Sequence, residues 1–283
     1  MLILTDRTYS LNLKNRKPFA GLHPESVTKI SISGRSRIDL SLRSGSWQVE
    51  TIDSPADPAL CNSLLKHLPN LNVLDIASAN PEKAPLFGIG KQPLTLTISA
   101  GEKNLAVLEV GKSGPDYACA YFRIKGKNEV YLAGFNLTAF CSTDPNHWIS
   151  KDFFRFDQDR VVRFKMVYGT DEIIVSRSQG WKTDSPHAAS IDTAEVDSLF
   201  KCFSPLSCEG IATPGSYSET AEAVFTMATE SLSGEETRLS LSGMTSGIHY
   251  AICSSSRHTF LLNSSKFDRI IKCWDSIRRS ACK

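Results

Sequence analysis

The stretch Val161 to Trp181, VVRFKMVYGTDEIIVSRSQGW, has an earlier counterpart in Val27 to Trp47, VTKISISGRSRIDLSLRSGSW. The two align without a gap at a shift of 134 positions (181 − 47). Arg43 falls on Arg177, Leu40 on Ile174, Ile30 on Phe164 and Ile32 on Met166. Each copy is two runs of alternating apolar and polar residues joined by a polar turn, the pattern of half-buried strands. Each closes on a short Gly-Ser-Trp or Gly-Trp ending. A chain that states one hairpin twice at this distance is expected to fold as two related halves.

The residues after each hairpin support that expectation. Asp57 is a candidate N-cap with Pro58 at the first helical position, and Leu60, Leu64, Leu65 and Leu68 recur at helical spacing before Pro69. In the second half Asp192 takes the cap position, and Val196, Leu199, Phe200 and Phe203 form the stripe before Pro205. The shift is now 135 positions (192 − 57). A strand is expected at Val73 to Ile76, then a four-strand meander over Leu94–Ser99, Leu105–Val110, Ala118–Ile124 and Glu129–Leu132. The second half repeats the meander at Ala223–Ala228, Thr237–Ser242, Tyr250–Cys253 and Thr259–Leu262. A last helix is expected over Lys266 to Ser280, with Phe267, Ile270, Ile271, Trp274 and Ile277 on its apolar face.

The fold class is therefore α+β and β-rich: two tandem divergent repeats, each with antiparallel strands and a packed helix. The expected domains are a lead-in over 1–26, a first repeat over 27–134, a connector over 135–160 and a second repeat over 161–283 with the C-terminal helix. Residues 1–26 are basic through Arg7, Lys14, Arg16 and Lys17. They read either as a linker draped on the first domain or as a juxtamembrane segment against anionic lipid. In the connector, Phe153, Phe154 and Phe156 are expected to pack between the halves.

Chemical signatures are sparse. A net charge of +2 argues against nucleic acid as the main partner. The sequence contains neither a run of eighteen apolar residues nor a signal-peptide pattern. The eight cysteines include no Cys-x-x-Cys and no histidine pair sits at ligand spacing, so no metal site is expected. Their redox state is open. Leu86-Phe-Gly-Ile-Gly-Lys-Gln-Pro93 lacks the third glycine and following helix of a phosphate cradle. Gly111-Lys112-Ser113 lacks the earlier glycine of a Walker loop, that place being Ala106. The six histidines are scattered and none lies in a hydrolase motif. Neither catalytic nor cofactor-binding residues are assigned, and no cofactor is expected.

Several phrases resemble the bacterial domain-of-unknown-function 4340 family (DUF4340). They are Gly45-Ser46-Trp47, Leu86 to Pro93, Val110-Gly111-Lys112, the hairpin from Tyr121 to Val130-Tyr131, and Ser150 to Asp157. The likeness spans nearly the whole chain, and none of these phrases is catalytic. It departs from the family at Ile89-Gly90, where Leu-Asp is usual, and in showing no hydrophobic anchor. The family is similar in setting to auxiliary subunits of gliding-motility-type ABC transporters. The resemblance thus implies a domain in the bacterial cell envelope, on the periplasmic or outer face of the inner membrane, held by an anchor outside this sequence.

The expected function is a non-catalytic binding or scaffold role, as an accessory protein of an envelope membrane complex with protein partners. The cleft between halves and the exposed strand edges are the surfaces it would use. The alternative is an envelope carbohydrate- or peptide-binding protein, with Trp47, Trp148 or Trp181 as a stacking platform. The competing reading of these tryptophans is that they cap sheet ends.

Overall fold

A computed structural model describes residues 16–184, 189–213, 215, 222–244 and 247–281. The chain divides into two units between Ser150 and Lys151. In the first unit the strands are β1 Lys29–Ser33, β2 Arg37–Arg43, β3 Ser46–Val49, β4 Ser54–Pro55, β5 Val73–Ser78, β6 Leu94–Ala100, β7 Lys103–Ser113, β8 Ala120–Ile124 and β9 Val130–Ala133. They form one antiparallel sheet in the order β4-β3-β2-β1-β6-β7-β8-β9-β5. Alternation decides which face is buried. Ile30 pairs with Leu40 and Ile98, Ile32 with Ile38 and Leu96, and Val110 with Phe122. All of these are fully or nearly fully buried. The helix Pro58–His67 turns Cys61, Leu64 and Leu65 inward.

That helix starts where its cap chemistry demands. The Asp57 carboxylate accepts from the backbone N–H of Ala59 at 2.8 Å and of Leu60 at 3.4 Å, and Pro58 needs no N–H partner. Asp192 does the same for helix Thr193–Phe203, accepting from Ala194 N at 2.9 Å. Asp57→Ala is expected to cost about 1 kcal/mol, with Asp57→Asn close to neutral. The check is the urea midpoint at unchanged m value.

The second unit contains β10 Asp152–Phe154, β11 Val161–Tyr168, β12 Asp171–Arg177, β13 Trp181–Thr183, β14 Ser190–Ile191, β15 Leu206–Ser207, β16 Gly210–Ile211, β17 Ala223–Ser231, β18 Glu236–Ser242, β19 Ile248–Cys253 and β20 Thr259–Asn263. Its large antiparallel sheet runs β14-β13-β12-β11-β17-β18-β19-β20-β16, and β10 pairs with β15 separately. Numbered in chain order within each large sheet, leaving out β10 and β15, the two nine-strand orders are the same. β2 and β12 begin 134 residues apart (171 − 37), and the two capped helices 135 apart (193 − 58). The helix Ser264–Ala281 buries Phe267, Ile270, Trp274 and Ile277 and contacts helix Thr193–Phe203.

The three connector phenylalanines, expected to pack between the halves, have their ring partners in the second unit. Phe153 stacks on Phe260 at 4.4 Å, and Phe156 meets Phe154 at 5.7 Å and Phe200 at 5.3 Å. The cause is local. The β10–β15 pairing and the bond from Phe156 N to Ser204 Oγ at 3.0 Å tie this segment to the chain around Ser204. From Arg16 onward the lead-in, expected either as a linker draped on the first domain or as a juxtamembrane segment, packs on the first unit. Phe19 and Leu22 are buried, and Arg16 O accepts from Val73 N at 3.0 Å. Arg7 and Lys14, the other basic residues noted there, lie outside the described residues.

Candidate functional site

A groove of about 910 Å³ opens on the first unit beside Trp47. One wall is the β2–β3 turn, where Ser44 and Gly45 both have positive φ, 50° and 82°. The opposite wall is a flank of helix Pro58–His67 with the exposed Asn62 and Lys66 and the buried Leu65, and Pro24 and Val27 also line it. Prolines at 24, 55, 58 and 69 make much of the surface apolar and stiff. The only titratable side chains lining it are Glu25, which pairs with His23 at 3.3 Å, and Lys66. An apolar wall with a few amide and charged groups suits binding; it lacks the convergent acid, base and nucleophile of catalysis.

In the second unit Phe164, Trp181 and Phe200 meet at 5.4 to 5.8 Å between ring centroids, and Phe156 joins them. The positions 134 or 135 residues earlier are Ile30, Trp47 and Leu65.

A second feature sits on the opposite face of the first sheet. The segment Pro81–Phe87 lies over β5 and β9, and Ala84, Ile89 and Val130 form a small buried cluster with Phe87 and Tyr121 packed against it. Here the glycines have a reason. Gly88 has φ of 83°, and a Cβ on it would lie 2.7 Å from Lys112 N. A Cβ on Gly111 would collide with the Phe87 carbonyl oxygen. The Phe-Gly-Ile segment and the Val-Gly-Lys strand end therefore lie backbone on backbone.

The β7–β8 connection beside it is rigid. The Asp116 carboxylate accepts from Ala118 N at 3.1 Å and from Cys119 Sγ at 2.8 Å, and Asn136 Nδ2 donates to Tyr117 O at 3.0 Å. Tyr117 has φ of 57° and is 79% exposed. Positive φ at an exposed aromatic marks a position held against its own preference. Sequence patterning registered this stretch only as a turn. The usable signal was an aromatic residue set among Gly114, Pro115 and Asp116.

The tryptophans are buried. Trp148 is fully so and donates from Nε1 to Ser142 O at 2.8 Å; Trp181 lies under the Arg177 guanidinium at 5.6 Å; Trp47 is 6% exposed, its edge at the groove. None offers a ring face as a platform. The described histidines do not converge: His67 bonds Ser63 O at 2.7 Å, and His249 is buried, bonded to Ser242 O and stacked on Phe267 at 3.8 Å. His187 lies outside the described residues. Among the described residues no group of three His, Cys, Asp or Glu could hold a metal ion. On the polar face of β1–β3, Lys29, Arg37 and Arg43 interleave with Asp39 and Glu50, and the Arg37 guanidinium holds the Asp39 carboxyl below the usual range. Burial pushes the Cys61 and Cys141 thiols up to about 12, which leaves them inert. Cys202 and Cys273 form a disulfide between the two helices of the second unit.

Large antiparallel sheets backed by a few helices place the protein in the α+β class of β-rich folds. It belongs to the family described as Domain of unknown function (DUF4340), whose model matches residues 47–223, more than half of the chain. No curated protein and no solved structure matches it.

Proposed function

We propose that this protein is a non-catalytic accessory component of a bacterial envelope membrane complex, associated with an ABC transporter, and that its two units are divergent copies of one ancestral domain. The observation that carries the binding role is the groove beside Trp47, with its proline-stiffened walls and no acid–base pair. Several carboxylates elsewhere have structural partners. Asp57, Asp144 and Asp192 cap helices, and Asp39, Glu50, Glu109 and Glu209 sit in ion pairs. The shared strand order and the 134- and 135-residue offsets support duplication.

The envelope location draws support from the Cys202–Cys273 disulfide, since such bonds persist in oxidising compartments. Closing a loop with a sequence separation of 71 residues is expected to stabilise the second unit by about 4 kcal/mol. Thermal melting with and without dithiothreitol, and of Cys202→Ser, checks this: both treatments should lower the midpoint by the same amount.

The role is tested by affinity purification of the tagged protein from detergent-solubilised native membranes, with mass spectrometry of what accompanies it. Permease and ATPase subunits are expected with the wild type and depleted with Asn62→Trp, which fills the groove from an exposed helix position. A clean monomer from the soluble fraction contradicts the role. The second reading, an envelope carbohydrate or peptide binder, rests on the Trp47 edge in the same groove. It would show as saturable ligand binding lost in Asn62→Trp without any membrane partner.

A further inference from the structure

We propose that the corner of the first unit formed by residues 81–91 and the β7–β8 connection is a contact surface for anionic lipid. Leu86 is 66% exposed and Tyr117 79%, the two most exposed large hydrophobic side chains described in this unit. Leu86 lies two residues before Gly88, which packs against Lys112, and Tyr117 lies five residues beyond Lys112 in the β7–β8 connection, its carbonyl oxygen bonded by Asn136 Nδ2.

Charge says what they meet. Lys83, Lys91 and Lys112 are exposed on the same two segments. None of the three takes part in an ion pair among the described residues, whereas Lys29, Lys165 and Lys266 all do. Of the two carboxylates in these segments, Glu82 is exposed, and Asp116 accepts bonds from its own loop. A leucine and a tyrosine ringed by unpaired lysines is the composition that bilayer interfaces select. The tyrosine sits at headgroup depth, the leucine reaches below it, and the lysines meet lipid phosphates. A protein partner would need complementary carboxylates; a phospholipid surface supplies anions at every position. This surface does not depend on the transporter reading, since lipid contact requires no permease.

Sedimentation of the full chain with vesicles tests it, comparing phosphatidylcholine with phosphatidylcholine–phosphatidylglycerol mixtures at low salt. The wild type should partition onto the anionic vesicles and be released by added salt. Replacing Lys83, Lys91 and Lys112 together by Gln should weaken partitioning about a hundredfold, at roughly fivefold per lysine. Leu86→Ser with Tyr117→Ser should also weaken it, and these exposed positions should leave the melting midpoint in place. Lys125→Gln with Lys127→Gln alters a different turn and should change partitioning less than about twofold. Equal partitioning onto neutral and anionic vesicles overturns the proposal. So does failure of the wild type to sediment, or a loss in the Lys125 and Lys127 variant matching that of the triple variant.

Discussion

Gly111→Ala is expected to destabilise the first unit by about 3 kcal/mol, the upper end for forcing an atom into a filled space. The new methyl would meet the Phe87 carbonyl oxygen, with Ile89 Cγ1 and Tyr121 Cβ each at 3.2 Å. The first obstacle is backbone and cannot rotate away, so the 81–89 segment must lift off β7. Lifting it exposes Ala84, Ile89 and Val130, all nearly fully buried. Gly90→Ala, two residues beyond Gly88, is the control. A Cβ there meets nothing within 4 Å, and the change should stay within about 0.5 kcal/mol. Urea unfolding of both variants followed by circular dichroism makes the comparison. Equal midpoints would show that the segment does not lie on the strand as described.

Phe200→Ala should cost about 4 kcal/mol, because it removes the ring that Phe156, Phe164 and Trp181 all touch edge-on. Leu65→Ala in the first unit should cost less, since Leu65 borders an open groove on one side. Trp181 fluorescence should shift in the Phe200 variant under native conditions. A cost below about 1 kcal/mol would mean that the cluster can collapse around the gap.

How much of this could be read from residues varies with the physics involved. The long strands could, because a half-buried sheet imposes period two: the second alternating run within Val27 to Trp47 is β2. The helix starts could, because an N-cap aspartate before an apolar stripe has one structural use. The two-residue strands β4, β14, β15 and β16 could not, since two residues show no period. Phe153, Phe154 and Phe156 were recognisable as packing residues, but an apolar ring does not name its partner. For Phe153 that partner is Phe260, more than a hundred residues on. Gly88 and Gly111 could be denied a phosphate role from spacing alone. That they instead let two backbone segments touch is a fact of tertiary approach.

Photo-crosslinking from position 62, with a photoreactive amino acid replacing Asn62 and irradiation in intact native membranes, tests the accessory role most directly. The account predicts a covalent adduct between this protein and a transporter subunit, absent when the same residue is placed at the exposed position of Lys125. A protein that stays unadducted in the soluble fraction would contradict it.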